Sequence, residues 1–289
     1  MVKKYKKEEG KDLIYNSYDK LLAAWGVDKE ELDVETTYGL THVIITGKRE
    51  NSPLLLFHGV GDNSAIMWIY NIQELSKHFF VIAVDTIGGS GKSEPNQRYF
   101  KNFDQSIWIN EILDSFNISK VNIVGVSNGA YLANYFTLKN KDRVNKIVCM
   151  SGGITSSPLR MLKAFLPEAL FPNEKSTKKL LRKLSAPNSD AFERNEEIMI
   201  HWNYLLKYFN NMLMSYHKYT KLQTLDLSIL KDKALYLIGE FDRLTYFPKS
   251  IKALEDNNLN FKIIKNAGHG INHEQPELVH EEIINFLKE

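Results

Sequence analysis

The sequence predicts a three-layer α/β fold in which helices cover both faces of a mainly parallel sheet. Three observations carry this. Short continuous apolar runs recur at residues 53–57 (PLLLF), 79–84 (FFVIAV), 121–126 (VNIVGV), 147–150 (IVCM), 234–238 (ALYLI) and 261–264 (FKII). Runs of that length without polar alternation suit strands buried on both faces. Stretches of helical character alternate with them, which favours parallel strands joined by crossovers. Residues able to do chemistry stand just after several of the runs, at the sheet edge where open α/β folds bind ligands.

The elements follow in order. Residues 1–32 read as a charged, amphipathic helical lead-in: Leu13, Ile14, Leu21, Leu22 and Trp25 have roughly helical spacing, and Gly26 stops the pattern. A weak strand at 33–38 and a second at 41–46, joined by Gly39-Leu40, predict a hairpin and an antiparallel start to the sheet. Helices are expected over 64–77, 103–116 and 128–139, each after a buried run, and a last one over 275–288 closes the chain.

Between residues 155 and 230 no β-type run occurs. Helical pieces at 159–170, 177–184 and 191–216 are separated by Pro172 and Pro187. A stretch this long is not a structureless loop. It reads as a helical insert, 155–230, between core segments 33–154 and 231–289. Its Met161, Phe165, Trp202, Tyr208 and Met212 suit either ordinary core or an adaptable apolar pocket.

Composition excludes several classes. With 289 residues, 43% apolar and 25% charged, the chain is neither disordered nor fibrous and can bury a sizeable core. Lys plus Arg number 37 against 35 Asp plus Glu, too balanced for the concentrated basic face of a nucleic-acid partner. One cysteine, Cys149, excludes an internal disulfide and a cysteine-based zinc site. The basic start runs into Glu8, Glu9 and Asp12 where a signal peptide needs its apolar stretch. No apolar run reaches about 18 residues. A cytoplasmic protein without membrane insertion is expected, its Lys3–Lys7 cluster solvated and its oligomeric state open.

The sharpest motif is Gly125-Val126-Ser127-Asn128-Gly129, a G-x-S-x-G between an apolar strand and a helix. A serine hydroxyl is a weak nucleophile and has to be held on a tight turn where a base can reach it. The helix N-terminus behind Ser127 favours negative charge at the reacting centre. His58-Gly59-Val60-Gly61 follows the 53–57 run directly. Its glycines let the loop bend so that backbone N–H groups face the oxygen that turns negative in a tetrahedral intermediate. Val60 N–H and Asn128 N–H are the expected donors, and His58 is read as structural. In the order Ser…Asp/Glu…His the base comes late. Of eight histidines, His269 just past the last strand is the candidate base, with His273 in reserve. Asp242, after the 234–238 strand, is the expected acid that orients the imidazole, with Glu240 its rival. Residues 86–93 end like a phosphate-binding loop. Thr86 stands where that motif needs glycine and Pro95 interrupts the helix that should follow, so nucleotide binding is disfavoured.

Together, His58-Gly59-Val60-Gly61, Asp85…Gly88, Gly125-x-Ser127-x-Gly129, Asp242 and Gly268-His269 resemble the α/β-hydrolase superfamily, from about Thr36 to the end. The 41–44 strand (THVI), the Met67-Trp68 pair, Asp85-x-x-Gly88-x-x-x-Lys92-Ser93-x-Pro95 and Lys265–His269 with Glu274-Gln275-Pro276 are similar to bacterial enzymes of the carboxylesterase NP type. The resemblance implies an α/β-hydrolase fold with an eight-stranded, mostly parallel sheet. It also implies a helical cap between strands six and seven and a Ser127–His269–Asp242 triad. Met67, Trp68 and Ile154 are the candidate substrate contacts. The implied activity is that of a serine hydrolase, a carboxylesterase cleaving small to medium carboxylic esters through an acyl-enzyme, with no metal or organic cofactor. The same triad serves thioesters, lactones and C–C bonds. A hydrolase-fold ligand receptor with little turnover is the alternative of another class.

Overall fold

Among the described residues one nine-stranded sheet forms, eight of its strands in the order β1-β2-β4-β3-β5-β6-β7-β8. They are β1 (Lys29–Thr36), β2 (Gly39–Thr46), β3 (Pro53–Phe57), β4 (Phe80–Val84), β5 (Val121–Val126), β6 (Val144–Met150), β7 (Ala234–Gly239) and β8 (Asn260–Ile264). The computed structural model describes residues 2–155 and 158–289. β2 is antiparallel to both β1 and β4, and every pairing from β4 across to β8 is parallel. A two-residue stretch, Glu94–Pro95, adds to β2 outside this order. The charged sequence of β1, KEELDVET, suits an edge that has to resist further pairing.

Strand periodicity divides the core in two. Leu54, Leu56, Val81, Ala83, Val124 and Val126 point to one face, where they meet helices α1 (Glu9–Ala23), α3 (Ile72–His78) and α11 (Pro276–Lys288). Leu55, Phe57, Ile82, Val84, Val121 and Ile123 point to the other, under α5 (Gln105–Ser115) and α6 (Asn128–Lys139). Successive side chains of a strand alternate between faces, so an unbroken apolar run supplies both layers at once.

Several expectations are corrected. The hairpin turns at Thr37-Tyr38, and Gly39 opens β2 instead of joining the strands. Glu94 O approaches so closely that a Cβ on Gly39 would sit 2.2 Å from it. The helix expected over 64–77 is two short ones, α2 (Ser64–Met67) and α3. A turn between them, Asn71 N–H to Trp68 O at 3.0 Å, leaves Trp68 fully buried. Helix α4 (Tyr99–Asn102) precedes α5, and α10 (Pro248–Asp256) between β7 and β8 was not anticipated.

The insert carries α7 (Pro158–Leu170), α8 (Glu174–Leu184) and α9 (Glu196–Tyr208). The expected 191–216 helix is cut at both ends by asparagine. Asn195 caps α9 by accepting from Glu197 and Ile198 N–H, and Asn210 accepts from Met212 N–H to start a 3₁₀ turn, Asn211–Tyr216. The lysine-rich start is not solvated throughout. Lys4 Nζ is buried and donates to Gly91 O (2.7 Å) and Ser93 O (2.8 Å), and Lys6 Nζ donates to Leu206 O (3.1 Å). Among the described residues no helix is long and apolar enough to cross a membrane.

Candidate active site

The carboxyl ends of β3, β5, β7 and β8 bring the motif residues to one edge of the sheet. Ser127 joins β5 to α6 with φ 54° and ψ −106°, a positive-φ conformation that costs a side-chain-bearing residue about 1–3 kcal/mol. Its N–H donates to Met150 O at 2.9 Å. A Cβ on Gly125 would lie 2.1 Å from Gly129 O, and one on Gly129 would lie 2.1 Å from Phe57 O. Both glycines are therefore needed for helix and strands to approach this closely.

Asp242 lies in the loop after β7. Its carboxylate accepts from Leu244 N–H (2.9 Å), Thr245 N–H (3.2 Å) and the Thr245 hydroxyl, and its Oδ2 is 3.0 Å from His269 Nδ1. Burial opposes its charge, yet His269 and these donors hold its pKa below the ordinary carboxylate value. Burial likewise opposes charge on His269, but the Asp242 carboxylate outweighs it and raises the imidazole above 6.5. A carboxylate on Nδ1–H leaves Nε2 as the basic nitrogen. The backbone of His269 is held on both sides. Its N–H donates to Leu184 O at the end of α8 (2.6 Å), and its carbonyl accepts from Ser151 Oγ (2.7 Å). Ser127 Oγ makes no hydrogen bond to any described residue, so its link to the imidazole is not closed here. Such contacts commonly tighten only with substrate bound.

On the 58–63 loop, Val60 N–H has no acceptor among the described residues, and neither has Asn128 N–H. His58 braces this loop from beneath. Its Nδ1 meets Gly59 O (2.7 Å) and Asp62 Oδ1 (3.0 Å), and its Nε2 accepts from Thr86 N–H (2.9 Å). Asn63 Nδ2 is 2.9 Å from His201 Nε2, whose Nδ1 is 2.7 Å from Ser17 Oγ. The insert and α1 are thus tied to the same loop.

The rival residues fall elsewhere. Glu240 is paired with Lys265 at 3.0 Å on the surface. His273 meets Ile66 O through Nε2 (3.0 Å), and burial lowers its pKa to about 4. In the phosphate-loop look-alike, the Asp85 carboxylate packs against the loop backbone, its Oδ2 2.2 Å from where a Cβ on Gly91 would sit. Its oxygens accept from Lys92 N–H (2.7 Å) and Ser64 N–H (3.0 Å), while Lys92 Nζ turns outward to Asp19 and Glu31, each at 2.6 Å. Met67, Trp68 and Ile154 are all buried. Met67 holds Asn272 through its carbonyl (2.6 Å), Trp68 packs in the α1 layer, and Ile154 packs in the α6 layer.

Residue-by-residue reading missed Thr245, Ser151 and Glu274. Glu274 accepts from Ala186 N–H in the insert (2.6 Å) and from Gly268 N–H beside His269 (2.7 Å). Burial raises its pKa above the ordinary glutamate value. Its place six residues after Gly268 was visible, but its partner in the insert was not.

Residues 52–276 match the family model described as alpha/beta hydrolase fold. Carboxylesterase YbfK of Bacillus subtilis (strain 168) is 27% identical over 290 residues, covering 94% of this chain and 93% of the relative. The protein named uncharacterized carboxylesterase nap, from the same strain, is 26% identical over 94% of this chain and 91% of its own length. Among solved structures, naproxen esterase (carboxylesterase NP) from Bacillus subtilis superposes with a TM-score of 0.78. It is 23% identical and covers 97% of this chain and 99% of its own.

Proposed function

The chain belongs to the alpha/beta hydrolase fold family, and on that premise we propose that it is a carboxylesterase working through Ser127, His269 and Asp242. The observation that carries the reading is the 3.0 Å contact between His269 Nδ1 and Asp242 Oδ2, at the same sheet edge as the strained Ser127 turn. His269 Nε2 takes the proton as Ser127 Oγ attacks the acyl carbonyl. The oxyanion accepts from Val60 N–H and Asn128 N–H, each worth about 3–4 kcal/mol of barrier. The imidazolium then protonates the departing alcohol, and water repeats the sequence on the acyl-enzyme.

An ester is the bond the reading favours because two relatives aligned over 94% of the chain carry the name carboxylesterase. In this reading the 155–230 insert is the cap over a small-molecule substrate, while Met67, Trp68 and Ile154, buried in the core layers, back the site without forming its wall. The enzyme is placed in the cytoplasm, which cell fractionation tests. Ser127→Ala is expected to lower turnover of p-nitrophenyl butyrate by at least ~10³-fold and to abolish labelling by a fluorophosphonate. A variant that keeps a tenth of the rate overturns the reading.

A further inference from the structure

The loop that carries Val60 also holds a carboxylate that the triad does not use. Asp62 is 5% exposed. Its Oδ1 meets His58 Nδ1 at 3.0 Å, while Oδ2 takes no hydrogen bond from any described residue. The point where a Cβ on Gly59 would sit is 3.1 Å from Asp62 Oδ2 and 3.6 Å from Ser127 Cβ. Asp62 Oδ2 and the Cβ of Ser127 therefore border one small space. The charge of Asp62 also reaches His269 and His273, favouring the protonated form of each.

A carboxylate withdrawn from water is costly unless its acceptor positions are filled. Two oxygens offer about four such positions, and His58 engages one oxygen alone. What remains suits a hydrogen-bond donor with positive charge and opposes a second carboxylate.

We propose that Asp62 is a specificity-determining residue, its Oδ2 receiving an ammonium or other donor group carried by the substrate close to the scissile carbonyl and turning away substrates with a carboxylate there. This rests on the carboxylesterase reading.

Three p-nitrophenyl esters of matched length test it: the β-alanine ester (ammonium), the butyrate ester (neutral) and the succinate half-ester (carboxylate). The wild-type protein is expected to prefer the β-alanine ester over the succinate half-ester by on the order of a hundredfold in kcat/KM. Asp62→Asn keeps an oxygen for His58 and is expected to bring that ratio to within about threefold. Absence of the preference in the wild-type protein overturns the proposal whatever the variant does. So does an undiminished preference in Asp62→Asn, which would leave Asp62 as a brace for His58 only. Failure of all three esters together with no fluorophosphonate labelling of Ser127 overturns the esterase reading itself. Turnover of the butyrate ester without charge preference overturns this inference alone.

Discussion

His269 Nδ1 and Asp242 Oδ2 stand 3.0 Å apart across 27 residues of chain, and this contact sets the protonation of the imidazole. The pair raises the pKa of His269 above 6.5 against the pull of burial. In the proposed role of base the ring has to be neutral, so ester turnover is expected to fall as pH drops through this raised value. The stabilising effect of the pair has the opposite sign: it is present below pH 6.5 and is lost as pH rises through the folded-state pKa. A pH–rate profile of kcat/KM with the butyrate ester checks the first statement, and an acid limb below pH 6.5 contradicts it.

Asp242→Asn removes the charge while keeping the shape. It is expected to lower kcat by on the order of 10⁴-fold, because an amide does not hold the ring in the tautomer that leaves Nε2 basic. Glu240→Gln, on the surface with Lys265, is expected to leave kcat within about twofold, since exposed pairs contribute little. Steady-state kinetics on both variants separate the acid from its sequence rival.

Glu274 joins the insert to the His269 turn by accepting from Ala186 N–H and Gly268 N–H. Glu274→Gln presents an NH₂ group to one of those donors. The lost charged hydrogen bond is expected to cost about 1.5–3 kcal/mol of stability and to speed proteolytic cutting near Ala186. Denaturant titration and limited proteolysis read both, and an unchanged midpoint contradicts the assignment.

Acid sensitivity should come from buried histidines. Burial lowers the pKa of His201 to about 3 and those of His217 and His273 to about 4. The unfolded chain takes up these protons first. The stability they contribute is complete above pH 6.5 and falls by about 1.4 kcal/mol per pH unit for each ring as pH drops toward the folded values. His201→Leu is expected to lose less stability than the wild-type protein between pH 7 and pH 5, measured by denaturant titration at each pH. An equal loss would show that the ring is not buried in its neutral form.

Much of this was legible along the chain. Helix α6 runs over Asn128–Lys139 as expected, because G-x-S-x-G marks its start and twelve residues without proline carry it. The six apolar runs became strands because continuous hydrophobicity of that length leaves few other places to go. The break between α2 and α3, the asparagine cap of α9 and the burial of Lys4 were not legible. The first two are single turns and caps that interrupt a helical pattern locally, and the third depends on a partner 87 residues away; periodicity registers neither.

Spacing and glycine placement along the chain determined the strands and the turn that holds Ser127, since these follow from forces between near neighbours. That Lys4 reaches Gly91 across 87 residues and Ser17 reaches His201 across 184 was decided only by the folded chain. Such contacts depend on how layers stack, and a buried polar group takes whichever partner the packed neighbour presents.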